Sequence, residues 1–468
     1  MGRGLRNTRE YFLASRGLPW WALSLSIVAT ETSTLTFIGV PALAYDGNLT
    51  FLQLAFGYVL GKILVSFVLI PSYFRGDIQS VYEILNSRFG GKVKNFSAGL
   101  FQVNRTLADG VRLFATALVL SVVTQISDMW TVAIIGVLTI IYTFYGGITA
   151  VVWNDVLQLF VYVIGAMIAF FVLLGRIPGG WPEVERLAAE SNKFQITDFS
   201  FSLENPYTFV AAVVGGAFLT LATHGTDQMM AQRYLACASR KKAQQGLILS
   251  GLIVMLQFLL FLVIGTLLFT FYWHNPHPDL PSDSQRLFPL FIVEEMPRGI
   301  SGLVIAAVFA AAMSTLSSSL NSLASSTLND FYRPYFAPHA SDEHYIRFSR
   351  IFTVGWGVVL VVVSLLARNW GSVLEVGLSI TSVVMGSVLG AFLLGQWTRV
   401  RSEMAGLTAM ISGLAVVILL DLNRAYDWRI FPSLAWTWYV LISTVTTLVV
   451  GVVVERVWDG AAAPQLRS

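Results

Sequence analysis

Ala29-Thr30-Glu31-Thr32-Ser33-Thr34-Leu35-Thr36 is the stretch on which the reading of the whole chain turns. Six of its eight residues are polar, yet it lies in the middle of an apolar run, 19–45, long enough to cross a bilayer as a helix. β-Branched threonines gain little from a regular helix there, and their hydroxyls compete for backbone groups. Irregular backbone is tolerated at that depth only where it lines a cavity. The stretch therefore reads as a break in a spanning helix, with freed carbonyls facing an interior site. The alternative is a regular helix with Glu31 paired to a neighbour. Thr223-His224-Gly225-Thr226-Asp227-Gln228 interrupts the sixth apolar run in a similar way. Interrupted spans at matching positions of two halves mark an inverted-repeat transporter with its binding site at the midplane. No internal sequence identity accompanies the pattern.

Composition sets the frame. Of 468 residues, 55% are hydrophobic and 12% charged, against roughly 25% charged in soluble domains. The class is an all-α polytopic membrane protein whose surroundings are a lipid bilayer. A net charge of +3 gives no ground for a nucleic-acid partner. The single cysteine, Cys237, excludes an intrachain disulfide and a cysteine metal cluster. The basic N-terminal stretch resembles the start of a signal peptide, but the apolar run after it is too long and too interrupted, so it reads as a cytoplasmic tail. Twelve spans are expected: 19–45, 50–72, 97–125, 129–147, 151–175, 206–232, 246–272, 302–329, 349–367, 371–395, 402–421 and 433–454. With the N-terminus inside, nineteen of the 30 Lys and Arg residues fall in inner segments and eight in outer ones, which is the bias that sets orientation. Both termini are therefore expected in the cytoplasm, in a multi-pass protein of the plasma (inner) membrane. A short amphipathic helix is expected over 285–295, with Pro289 in its first turn.

Ionisable residues inside spans are functional candidates because burying them is costly. Arg105, Asp109 and Arg112 share one face of the third span. They leave one positive charge over, to be met by Glu31 or by an anionic solute. Asp155 stands near the inner start of the fifth span, as a helix-capping group or as an acidic ligand for a cation. In the eighth span Ala311, Ser314, Thr315 and Ser318 fall on one helical face. Such a face suits close helix packing or offers oxygens to a small hard cation. Ser319, Asn321 and Ser322 keep the packing role.

Glu10–Arg16, Leu18-Pro-Trp-Trp-Ala-Leu-Ser-Leu-Ser26, Phe37-Ile-Gly39, Thr143–Asp155, Asp227-Gln-Met-Met-Ala-Gln-Arg-Tyr-Leu235 and Ala310-Ala-Ala-Met-Ser-Thr-Leu-Ser317 resemble the motifs of the solute:sodium symporter family, in family order. The resemblance implies a leucine-transporter-like fold of ten core helices in two inverted repeats. The first repeat would occupy 19–175 and the second 206–395. Two peripheral helices would lie in 396–454, between tails at 1–18 and 455–468. The family's extra helix before the core is expected to be absent from this sequence.

The same resemblance implies a main sodium site of Ala29 and Thr32 from the first core helix and Ala311, Ser314 and Thr315 from the eighth. It implies a second sodium site of Asp155, Ser314, Ser317 and Ser318. The solute is expected near Glu31, Thr36, Arg105, Arg112, Thr226, Asp227 and Gln228. Thr36 and Ala55 stand where the sugar branch carries its glutamine and glutamate, which argues against a sugar bound in that way. The expected function is sodium-coupled import, by a monomer and by alternating access, of a small polar organic solute, with a carboxylate or other anion in view. The alternatives are proton coupling on the same fold, or a sugar, polyol or amino-acid solute. No catalytic constellation points to an enzyme.

Overall fold

A computed structural model describes residues 17–75, 78–124, 126–276, 280–281, 283–297, 299–367, 370 and 373–462. The motif Glu10–Arg16, most of the N-terminal tail and the end of the C-terminal tail lie outside these. The described chain is helical. We label α1 (Trp20–Glu31), α2 (Thr34–Asp46), α3 (Leu52–Val68), α4 (Gly91–Thr124), α5 (Asp128–Arg176), α6 (Phe209–Gly225), α7 (Gln228–Leu235), α8 (Arg240–His274), α9 (Ile300–Ser326), α10 (Asp342–Leu366), α11 (Val373–Trp397), α12 (Glu403–Ala425) and α13 (Tyr439–Ala462).

The first expected span is broken where its polar run predicts. Thr32 and Ser33 are extended, and the Ser33 hydroxyl accepts from the Leu35 N–H at 3.2 Å, which starts α2 afresh. The sixth is broken at Thr226–Asp227, where the Asp227 carboxylate accepts from the Met229 N–H at 2.8 Å and caps α7. Both pairs, α1/α2 and α6/α7, bend by 62°. Among the described residues seven helices are long and apolar enough to cross a membrane, nine when each bent pair counts as one span. The other three expected spans fall on α3, α4 and the first part of α5, all helical.

One boundary differs from expectation. The sequence separates 129–147 from 151–175, but the backbone stays helical through all 49 residues of α5. Straight, such a helix would measure about 74 Å, more than twice the ~30 Å hydrocarbon core. Its two parts serve different neighbours: Gly136 and Ile140 pack on Val361 and Gly357 of α10, and Gly165 packs on Val304 and Ala307 of α9. Asp155 therefore lies well inside a helix, and the capping role fails for lack of a helix start.

The expected short helix is present as Leu287–Glu294, with Pro289 in its first turn, but it is apolar up to Glu294 rather than amphipathic. Its Phe288 stacks on Phe37 of α2 at 4.8 Å, and Phe37 also meets Tyr162 and Phe261 at 5.8 and 5.5 Å. This aromatic cluster anchors the second half of the broken first span. At the other end the Leu18 N–H donates to the Ala236 carbonyl at 3.2 Å, tying the start of α1 to the end of α7.

α3 and α6 cross closely because small residues let the backbones meet. A Cβ on Gly57 would stand 2.5 Å from the Val213 carbonyl oxygen, and one on Gly216 would stand 2.7 Å from that of Leu54. Gly57→Val is expected to lower the melting temperature of the detergent-purified protein by several degrees. Gly175→Ala, with nothing within 4 Å of the added carbon, is expected to leave it unchanged.

Candidate functional site

The first break and the end of α6 next to the second open onto one cavity. The first broken span contributes Thr30, Glu31, Ser33 and Thr36, and the sixth contributes Thr223 and His224. α4 adds Arg105 and Arg112. Tyr58 and Phe258 form part of the apolar wall, and α11 adds Gly377 and Thr381. Of the solute residues expected from sequence, Glu31, Thr36, Arg105 and Arg112 line this cavity.

Thr226, Asp227 and Gln228 do not line it, and each is engaged elsewhere. The Thr226 hydroxyl donates to the Ala222 carbonyl at 2.8 Å. Gln228 donates to the Gln79 carbonyl at 3.0 Å and accepts from the Val81 N–H at 2.8 Å. Asp227 takes the positive charge that the third span leaves over. Arg105 donates to its Oδ2 from Nε at 3.0 Å and from Nη2 at 2.7 Å. Glu31 does not meet that charge. Its carboxylate receives the buried Lys62 ammonium at 2.5 Å and lies 3.4 Å from His224 Nε2. Lys62 is further held by Ser250 at 3.2 Å.

Asp109 completes the ionic arrangement. Arg112 and Ser319 both donate to it, and Arg105 Nη1 stands 3.6 Å away. Ser319 thus holds a charge in addition to packing. Arg112 has a different exposure from the rest. Its side chain is 20% exposed, it borders the cavity, and its Nε–H has no hydrogen-bond partner among the described residues.

A second feature lies where α1 ends against α9. Ala29, Thr32 and Ser314 line one small gap together with Gln158, Leu159 and Tyr162. The Thr315 hydroxyl donates to the Thr30 carbonyl at 3.2 Å. A helix C-terminus leaves its last carbonyls without intrahelical partners and carries partial negative charge, which favours a cation. Ala311 lies on the same helix, α9. The Thr32 hydroxyl is turned away to Gln257 at 2.7 Å, so Thr32 has its carbonyl to offer.

Next to this gap two of the residues expected at the second site, Asp155 and Ser318, meet a guanidinium, and Ser314 donates to Asp155 Oδ1 at 2.7 Å. Arg233 Nη2 lies 2.5 Å from Ser318 Oγ and 3.0 Å from Asp155 Oδ2. Ser317 bonds back to the Ser314 carbonyl at 3.0 Å. Lys62, His224 and Arg233 are partners that the sequence did not identify. Each sits near a carboxylate in need of a counter-charge, and that need was the available signal.

The family model described as the sodium:solute symporter family matches residues 11–413. The sodium/sialic acid symporter NanT of Aliivibrio fischeri is 30% identical over 454 residues, covering 96% of this chain and 88% of that protein. The human sodium/iodide cotransporter is also 30% identical, over 94% of this chain and 68% of its own length. A solved Na+-coupled sialic acid symporter, in a substrate-bound outward-open state, superposes with a TM-score of 0.87 at 28% identity, covering 97% of this chain and 93% of that one.

Lys62→Met leaves the Glu31 carboxylate facing His224 alone. Breaking a buried pair on one side costs about 3–5 kcal/mol, whereas removing both charges is often near neutral. Lys62→Met is therefore expected to destabilise the protein strongly and Lys62→Met with Glu31→Gln to recover most of the loss, read from melting temperatures in a double-mutant cycle.

Proposed function

The chain belongs to the sodium:solute symporter family, and from that premise we propose that it carries a small organic anion, held by its carboxylate at Arg112, into the cell together with sodium. It is a polytopic membrane transporter of leucine-transporter-like fold, not an enzyme, and sodium is its coupling ion.

The observation that carries the anion is the charge balance. Lys62, Arg105 and Arg112 face Glu31, Asp109 and Asp227, three against three, through short contacts. With His224 neutral, these six charges, at and just behind the cavity wall, sum to zero. A sodium ion entering the gap beside Ala29, Thr32, Ala311, Ser314 and Thr315 adds one positive charge to a low-dielectric interior, where an unpaired charge is costly. An anionic solute in the adjoining cavity offsets it. Arg112 has a free donor for that anion. Thr36, Thr223 and Thr381 offer hydroxyls for the remainder of the solute, and Tyr58 and Phe258 offer apolar walls.

Each species then favours the state that the other stabilises, which is what coupling requires. Alternating access would follow from rocking about the two broken helices, with both termini cytoplasmic in the plasma membrane and a monomer as the working unit. The sialic acid specificity of the relatives' names agrees with a carboxylate, as a class.

The test is uptake into proteoliposomes under an inward sodium gradient, over a panel of carboxylates, neutral sugars and polyols, and zwitterionic amino acids. Sodium-driven uptake is expected for carboxylates. Uptake of a neutral sugar with no carboxylate transported would overturn the reading. A charge-assisted hydrogen bond is worth about 1.5–3 kcal/mol, so Arg112→Gln is expected to raise KM for the carboxylate by roughly 10- to 150-fold.

For the ion, Ser314→Ala and Thr315→Ala are each expected to weaken sodium-dependent thermal stabilisation. Ser322→Ala, whose hydroxyl only bonds back to the Ser319 carbonyl, should not. Unchanged sodium affinity in both of the first two variants removes the ion assignment.

A further inference from the structure

A second cavity lies where α3 and α11 end, on the side that the excess of Lys and Arg assigns to the cytoplasm. The segment after α3, the helix Glu83–Phe89 and the end of α11 line it. Among the described residues none of α1, α6, α7 or α9 does. It is therefore separate from the solute cavity and from the sodium gap. Its charged residues are Arg75, Arg88 and Arg401 against Glu83, three against one.

None of the three guanidinium groups is ion-paired among the described residues. The neighbouring carboxylates are committed elsewhere. Glu83 accepts the Gln79 and Ser80 N–H groups at 3.1 and 3.0 Å. Glu403 faces Lys92 at 3.7 Å, and Glu455 accepts the Arg401 and Ser402 N–H groups at 2.9 and 3.2 Å. Arg88 Nη2 donates to the Thr398 carbonyl at 2.5 Å, which fixes the side chain, while its Nε–H is buried without a partner among the described residues. Arg75 and Arg401 are exposed, and their side chains make no hydrogen bond among the described residues. Such unpaired forks suit the oxygens of a phosphate group.

The surroundings say where the phosphate comes from. Leu60, Ile63, Leu64 and Phe67 are exposed at helical spacing along α3, and Val68, next to Phe67, lines the cavity. Trp397, also in the lining, is 62% exposed. Apolar side chains on the outside of a spanning helix face acyl chains, and a tryptophan at a helix end marks the headgroup level. A free anion has no use for that surface, whereas a phospholipid uses it together with the arginines. Basic pockets between helices on the cytoplasmic side take anionic headgroups. We propose that this cavity binds the phosphate headgroup of an anionic phospholipid of the inner leaflet, with Arg75, Arg88 and Arg401 on its oxygens. The headgroup bridges the segment after α3 and the end of α11, which already meet where Gln396 Nε2 donates to Ser72 Oγ at 3.2 Å.

The test is the melting temperature of the protein, purified in a neutral detergent and titrated with short-chain phosphatidylglycerol, short-chain phosphatidylcholine or glycerol phosphate. Phosphatidylglycerol is expected to raise it saturably, and the other two to have no such effect at equal concentration. An arginine beside an anionic headgroup is worth about fivefold in affinity. Arg75→Gln with Arg401→Gln is therefore expected to weaken the apparent affinity for phosphatidylglycerol roughly 25-fold. Arg399→Gln removes an exposed charge from the same surface but outside the lining, and is expected to leave the affinity unchanged.

Equal stabilisation by phosphatidylcholine overturns the proposal. Equal stabilisation by glycerol phosphate overturns it too, because the site is then one for a free anion. The absence of a saturable effect of phosphatidylglycerol also overturns it. So does a loss of affinity in Arg399→Gln as large as in the double variant, which marks diffuse surface charge. If the double variant does not fold, Arg75→Gln and Arg401→Gln taken singly carry the same comparison, at about fivefold each.

Discussion

Asp227 does two jobs with one carboxylate, and the rest of the architecture depends on it. A helix broken at mid-depth exposes the first N–H groups of its second half, with no water to receive them. A buried arginine needs a counter-charge for the same reason. Asp227 accepts the Met229 N–H on Oδ1 and Arg105 on Oδ2. The break between α6 and α7 and the charge on α4 therefore share one solution. The first break follows the same logic with two residues: Ser33 caps α2, and Glu31, at the end of α1, carries the charge met by Lys62 and His224.

This arrangement places a carboxylate at each break and a basic residue from a neighbouring span on each carboxylate. The charges at and behind the cavity wall are thereby paired. Arg112 is the exception in geometry: it shares Asp109 with Ser319 and Arg105, borders the cavity, and its Nε–H has no partner among the described residues.

How much of this was legible in the sequence follows from range. Both breaks were legible because their causes are local: a run of hydroxyls, a serine and an aspartate in capping position, a few residues of context. The pairings were not, because they join residues far apart, Arg105 to Asp227 across 122 positions and Arg233 to Asp155 across 78. Counting charges showed that the third span needed a partner but could not say which. Asp155 read as a helix cap or a cation ligand because it stands near the inner start of the expected fifth span; the backbone is helical well before that point, so no helix starts there. Arg233 closes a span and read as part of its inner end. It is buried because Ser26, Thr30, Asp155 and Ser318 together replace the water it loses. Thr226 and Gln228 adjoin a break, yet the Thr226 side chain satisfies the Ala222 carbonyl and the Gln228 side chain holds the backbone at Gln79 and Val81.

The two cation positions share Ser314, and the chemistry of a hydroxyl makes them unequal. A serine hydroxyl has one proton to donate and two lone pairs to offer. Its proton goes to Asp155 Oδ1, which leaves the lone pairs for an ion in the gap beside Ala29 and Thr32. In the acidic position the Ser318 oxygen and the facing Asp155 oxygen already receive the Arg233 donors. Proton direction thus links the two positions: the Ser314 hydroxyl holds the Asp155 carboxylate, and that carboxylate holds the Arg233 guanidinium.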